Sequence, residues 1–205
     1  MPQFYELTTL SCPVVSVSRA SDGVQAFLST PDARGALLGC WRTDIGTLGR
    51  LLILRAFASQ EDLVAERRRA LLDADPFNAG DAVTAMEMDT YLPFPFLPPV
   101  EPGAYGRVYE FRTYKLRPGG LAPTLAGWEA AMPARAARSR LVVAMYALDG
   151  TPRITHIWPY AGLDERSAVR AKATADGIWP PPGAPEQVLE ASSAIAVPEP
   201  YSPLA

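Results

Sequence analysis

The chain is poor in the residues that most metal and hydrolytic sites need. Of its 205 residues, one is a histidine, His156, and two are cysteines, Cys12 and Cys40. That inventory cannot build an ordinary three- or four-ligand zinc centre, so no metal site is expected. It also argues against a disulfide scaffold and for a reducing compartment, the cytoplasm, with both cysteines as small buried hydrophobes. No G-x-S-x-G, G-x-x-x-x-G-K-[ST] or H-E-x-x-H occurs. Nucleophile-elbow hydrolases, P-loop enzymes and zincins therefore have no support. A basic excess is missing too: 19 Lys and Arg face 22 Asp and Glu, for a net charge of −3. With a pI near 5.3, a nucleic-acid partner is not expected. No apolar run approaches the ~20 residues that span a bilayer. The longest uncharged apolar stretch, Thr90 to Val100, holds four prolines, which a membrane helix would not tolerate. Met1 to Glu6 lacks the basic start of a signal peptide.

What is present suffices for a core. Hydrophobic residues make up 48% and charged residues 20%, with a mean hydropathy of +0.02. The length allows one large domain or two small ones. An internal repeat decides between these. Phe4–Leu10 aligns with Val108–Tyr114 at an offset of 104 residues, and Leu52–Phe57 with Thr155–Tyr160 at 103. Asp62–Arg67 meets Glu165–Arg170 at 103, and Pro93–Pro98 meets Pro198–Pro203 at 105. Four matches in register, drifting by two residues, indicate a duplication.

Periodicity gives each half the same elements. Strands are expected over 4–10 and 107–114, 37–42 and 141–148, 50–57 and 153–160, and 82–91 and 187–196. Helices are expected over 21–28 and 121–138, then 59–74 and 163–175, with Ser59 and Asp164 as N-caps. Pro133 is expected to kink or split the long helix. The order β-α-β-β-α-β, twice, is the ferredoxin-like unit with both helices on one face of a sheet. Residues 1–92 form the first repeat and 107–205 the second, with the Pro-rich stretch 93–106 as a stiff bridge. Two such sheets can bury their bare faces against each other. The expected fold is thus α+β, a pseudo-dimeric barrel closed within one chain, with further homodimerisation compatible.

Residues of the second half resemble a known family. Tyr109-Glu110-Phe111-Arg112-Thr113-Tyr114, followed by Pro118-Gly119, is similar to the opening of NIPSNAP domains. His156-Ile157-Trp158-Pro159-Tyr160, Leu163, Glu165-Arg166 and Arg170 resemble its strand–helix segment, and Pro200-Tyr201-Ser202-Pro203-Leu204 its tail. The first half keeps Tyr5-Glu6 but has Thr8 where the arginine stands in the second. The resemblance implies the dimeric α/β-barrel superfamily. That group includes cofactor-independent monooxygenases, polyketide cyclases, lactone isomerases and haem-dependent enzymes, and it settles fold better than function.

Strand alternation puts Glu110, Arg112 and Tyr114 on one face, and Ile154, His156, Trp158 and Tyr160 on one face of the neighbouring strand. These polar sets are expected to line the barrel interior, with Tyr146 beside them, and the apolar sets to lie under the helices. A catalytic group of His156, Arg112, Glu110 and Tyr114 follows, with Trp158, Tyr146, Arg55 and Glu6 as substrate-binding wall. Two readings stay open for the charged pair: a buried Glu110–Arg112 ion pair fixing the barrel, or a ligand site. His156 is an acid, a base, a haem ligand, or a side chain merely hydrogen-bonded in place. Arg67-Arg68-Arg69 reads as a solvated helix face. Trp128 and Met132 read as packing on the sheet, and Trp179 as a loop anchor or lid. The functional expectation is an enzyme of secondary metabolism: a cyclase, isomerase or cofactor-independent oxygenase acting on a hydrophobic oxygenated small molecule in a barrel cavity. No cofactor is expected. The alternative is a non-catalytic binding protein with a filled barrel.

Overall fold

The βαββαβ order appears twice in the computed structural model, which describes residues 4–205. The first half is β1 (Phe4–Ser11), α1 (Val17–Leu28), β2 (Ala36–Ile45), β3 (Arg50–Phe57), α2 (Gln60–Leu72) and β4 (Ala85–Pro93). The second is β5 (Val108–Leu116), α3 (Leu121–Ala136), β6 (Val143–Ala147), β7 (Arg153–Tyr160), α4 (Leu163–Ala175) and β8 (Val188–Pro198). Met1–Gln3, part of the signal-peptide reading, lie outside the described residues. Two expectations need correction. Pro133 neither kinks nor splits α3, because it falls in the last turn before the helix stops at Ala136. The α4 N-cap is Gly162 rather than Asp164, which is already helical. Ser59 does cap α2, its hydroxyl accepting from the Asp62 amide at 3.1 Å.

All eight strands close one antiparallel barrel in the order β1-β3-β2-β8-β5-β7-β6-β4. Each half therefore supplies four adjacent strands. The halves join at two seams, β2 with β8 (Arg42 opposite Val197) and β4 with β6 (Leu92 opposite Tyr146). The barrel is shared, so its lumen carries core residues of both halves. Tyr5, Leu7, Leu54 and Tyr91 meet Tyr109, Phe111, Met145 and Ile157 there. Trp41 packs on the rings of Tyr109 and Phe111 at 5.3 and 5.2 Å.

This reverses the expected side of each strand. Tyr109 and Phe111 point into the barrel, while Glu110, Arg112, His156 and Trp158 lie beneath α3 and α4. The reason is physical. A lumen walled by eight strands removes large rings from water on all sides, whereas the sheet–helix layer has open edges through which arginines reach solvent. The lumen is apolar in its middle. At one end it widens into a polar mouth of about 670 Å³, lined by hydroxyls such as those of Thr9, Thr113 and Thr155 and by charged side chains such as Glu87, Asp89, Lys115 and Arg153.

Among the described residues, no helix is long and apolar enough to cross a membrane. Cys12 and Cys40 are free and buried.

The two sheet–helix layers are built alike but filled differently. In both, a glycine on the first helix lets the loop after the second helix come close. A Cβ at Gly23 would lie 2.1 Å from the Asn78 carbonyl oxygen, and one at Gly127 would lie 2.6 Å from that of Pro182. The two pairs share the repeat offset of 104. Seated on Gly23, the first-half loop inserts Phe77 among Leu10, Val24, Phe27 and Leu51. The second-half loop presents Pro181 at the matching position.

Candidate functional site

Because Pro181 replaces a phenylalanine, the second-half layer keeps a cavity of about 350 Å³. Its walls are Tyr114 and Ile154 from the sheet, Thr124 and Trp128 from α3, and Trp179 and Pro181 from the loop. The lining is mostly apolar and aromatic with a few polar atoms, as ligand pockets usually are. Trp128 and Met132 pack on the sheet as expected, and Trp179 lies edge-on to Trp128 at 4.8 Å.

Four predicted residues, His156, Arg112, Glu110 and Tyr114, are brought together behind this cavity. His156 packs edge-on against Tyr114 at 5.0 Å and Trp128 at 4.9 Å, both cavity walls. Its Nδ1 accepts the indole N–H of Trp158 at 2.6 Å. An indole nitrogen only donates, so the neutral imidazole must carry its proton on Nε2. Nε2 is buried and has no partner among the described residues. Burial, aided by the positive charge of Arg112, holds the His156 pKa well below its ordinary value. The histidine is therefore neutral and presents one N–H, which makes it a hydrogen-bond donor and not a base. The same tautomer does not fit haem, whose iron needs the lone pair that Nε2 here lacks.

Arg112 donates through Nε to the Tyr114 hydroxyl oxygen at 2.6 Å and through Nη1 to Glu110 at 2.9 Å. The tyrosine oxygen is thus an acceptor from Arg112, and its own proton is left to donate elsewhere. Glu110 is fully buried and also takes Arg166 at 2.6 Å, the Ser193 hydroxyl at 2.9 Å and Arg170 at 3.5 Å. Burial would raise this carboxyl, but the Arg166 hydrogen bond and the charges of Arg170 and Arg112 outweigh it and hold it at about 2. The Glu110–Arg112 ion pair expected as one reading is present within β5, and Arg166 and Arg170 anchor α4 to the same carboxylate.

The other predicted residues divide. Trp158 is buried beside His156, stacked under the Arg135 guanidinium at 4.3 Å. Tyr146 packs at the edge of the same apolar cluster. Arg55 and Glu6 are not brought to the cavity. They form their own ion pair at 2.5 Å in the first-half layer, completed by Glu66 and Arg67. Arg67 and Arg69 are likewise not a solvated face. The former binds Glu6, and the latter binds Glu66 and stacks 3.5 Å over Phe27. Sequence reasoning missed Thr124, Pro181 and Arg135. Only Pro181 left a signal, as the residue standing where the repeat puts Phe77.

Comparison with known proteins agrees with this architecture. The NIPSNAP family model matches twice, over residues 5–98 and 109–203. A NipSnap homolog of Dictyostelium discoideum is 24% identical over 147 residues, which is 69% of this chain and 65% of that protein. The chain thus spans just under two thirds of that relative. The solved structure of an anthrone oxidase-like protein superposes with a TM-score of 0.70 at 13% identity, over 99% of this chain and 94% of the other. A candidate monooxygenase from Lactobacillus acidophilus gives 0.66 at 10% identity, over 97% and 94%. At such identities these two solved structures bear on fold alone. With both halves matched by the family model and the two repeats closed into one barrel, the chain belongs to the NIPSNAP family.

Proposed function

We propose that the chain is a small-molecule enzyme acting on a flat, hydrophobic, oxygenated compound of the polyketide type, bound in the second-half cavity and not in the barrel lumen. The reaction class is that of a cofactor-independent monooxygenase, cyclase or isomerase. One observation carries this reading: a 350 Å³ aromatic cavity exists in the layer that holds His156, while Phe77 occupies the matching place in the other. In this reading the substrate ring lies against Trp128 and Trp179, which meet edge-on and together form one aromatic wall of the cavity. The Tyr114 hydroxyl, on the cavity wall, is the donor for a carbonyl oxygen or the oxyanion it becomes, and His156 packs edge-on behind it. Proton removal is not assigned to His156, whose Nδ1 is already engaged. An anthrone oxidase-like protein and a candidate monooxygenase share this fold, which makes anthrone the first probe to try.

The test is dioxygen uptake with anthrone as probe, together with the mass of the recovered product. Consumption of oxygen and gain of oxygen mass, both lost in Tyr114→Phe, are expected. The apolar filling of the lumen favours a second reading, a binding protein without catalysis. That reading wins if anthrone quenches the fluorescence of Trp128 and Trp179 saturably but returns unchanged.

A further inference from the structure

We infer that the seam between α3 and α4 is a binding site for a small oxyanion, a carboxylate or phosphate, held by Arg135, Arg166 and Tyr160 beside Glu110. Three observations converge on it.

The first is the distribution of unpartnered groups. Seven buried side-chain nitrogen or oxygen atoms lack a hydrogen-bond partner among the described residues, and four of them belong to Arg135, His156, Tyr160 and Arg166. All four can donate. Arg135 Nε and Arg166 Nε are N–H groups, the Tyr160 hydroxyl carries a proton, and His156 is held as its Nε2–H tautomer. Arg135 and Tyr160 are each 2% exposed, and the Arg135 guanidinium faces the Tyr160 hydroxyl oxygen, which leaves the phenol proton and Arg135 Nε–H to donate elsewhere. Buried donors without acceptors are costly and rare. A set of them in one layer is the pattern a missing anion leaves.

The second is charge. Arg112, Arg166 and Arg170 all bind Glu110. Arg135 lies above the ring of Trp158, the residue opposite Glu110 on the sheet. Four guanidinium groups thus surround one carboxylate. Asp176, near the end of α4, is already engaged by Arg138 and Lys172.

The third is the comparison with the first half. There Arg55, Arg67 and Arg69 share two carboxylates, Glu6 and Glu66. Glu6 corresponds to Glu110, and Arg67 corresponds to Arg170. Glu66, however, corresponds to Val169. One half supplies the second carboxylate from its own helix, and the other has a valine at that position among more arginines. The phenol is also new, since Tyr160 stands where the first half has Phe57. Carboxylate and phosphate oxygens are the partners that guanidinium N–H groups match best. Arg170, a third exposed and at 3.5 Å the longest of the Glu110 contacts, is the side chain that can swing to admit the anion.

The anion is either free or the acidic group of a molecule whose body lies in the nearby cavity. The inference does not depend on the proposed reaction. A protein inert toward anthrone yet binding anions here would end one reading and leave the other standing. Arginine Nε–H resonances of the labelled protein, followed at constant ionic strength, provide the test. Titration with inorganic phosphate and with 2-naphthoate should give saturable shifts of the Arg135 and Arg166 signals. At least tenfold tighter binding of naphthoate than of phosphate assigns the anion to a cavity ligand, and comparable binding of the two assigns a free anion. Val169→Glu restores the missing carboxylate, so it should raise the melting temperature and weaken anion binding at least tenfold. Arg166→Gln, at a partly exposed position, should weaken binding similarly without unfolding the chain. Non-saturating shifts with both anions, or Val169→Glu binding phosphate as the wild type does, would overturn the inference.

Discussion

Trp158 donates its indole N–H to Nδ1 of His156 across 2.6 Å, and this bond decides which proton the histidine carries. The pair sits two residues apart on β7, so both side chains lie on the face beneath α3. A general base at this position would need a free lone pair, and neither nitrogen offers one while the indole stays in place.

Nitrogen chemical shifts of His156 are therefore expected to report a protonated Nε2 and an unprotonated Nδ1 across neutral pH. Trp158→Phe should release the constraint and populate the other tautomer. A wild-type spectrum with Nδ1 protonated would contradict the assignment.

The same burial makes a statement about stability. The folded-state pKa of His156 lies well below its ordinary value, so the unfolded chain binds the proton more readily. Unfolding free energy should then be flat above about pH 6.5 and fall as pH drops below it, by at most about 1.4 kcal/mol per unit. Denaturant melts between pH 8 and 5 check the slope, and His156→Leu should flatten it.

Glu110 acts in a lower window. Its carboxyl is held at about 2 in the folded protein, below the usual glutamate value of about 4.3. Its contribution is complete above that ordinary value and lost as pH falls through the folded one, so acid unfolding should steepen between about pH 4.5 and 2. Glu110→Gln leaves three arginines without their carboxylate and should cost about 3–5 kcal/mol, the range for breaking a buried ion pair from one side. A loss under 1 kcal/mol in denaturant titration would show that the cluster does not anchor α4.

How far the site could be read beforehand follows from what alternation contains. A period of two shows that Glu110, Arg112 and Tyr114 share a face, as do His156, Trp158 and Tyr160, and both groupings hold. It does not show which face is inside when both are buried, one in a shared lumen and one under helices. The lumen belongs to neither half alone. Trp41, which fills it against Tyr109, comes from the other repeat. The repeat, the element order and the barrel were legible because four matches in register are a property of the chain itself. The cavity was not, because it depends on one residue, Pro181, in a stretch without periodicity.

Gly127 tests how the cavity wall is held. A Cβ there would stand 2.6 Å from the Pro182 carbonyl oxygen, closer than side-chain carbons approach backbone. Gly127→Ala must therefore lift the loop that carries Pro181. A cost of about 1–3 kcal/mol is expected, as for overpacking elsewhere, together with weaker probe binding in the cavity. Unchanged melting and unchanged binding would mean that the loop is not seated on this helix.

Phe77 offers the sharpest check on the asymmetry between the halves. Its ring is fully buried, 4.9 Å from that of Phe27, in the place where the second half keeps its cavity. The matching walls are present: Leu10 for Tyr114, Val24 for Trp128 and Leu51 for Ile154. Phe77→Ala should then remove about 3–5 kcal/mol of stability, the usual loss for a buried ring. It should also open a largely apolar cavity, bordered on one side by the Arg55 guanidinium, that takes up xenon or benzene. Addition of benzene should recover part of the lost melting temperature by binding only the folded state. The converse change, Pro181→Phe, should close the second-half cavity and abolish anthrone binding while the barrel remains intact. If Phe77→Ala is destabilised but takes up no probe, the layer has collapsed around the deletion. Phe77 would then be ordinary core, and the asymmetry that places the site in the second half would lose its support.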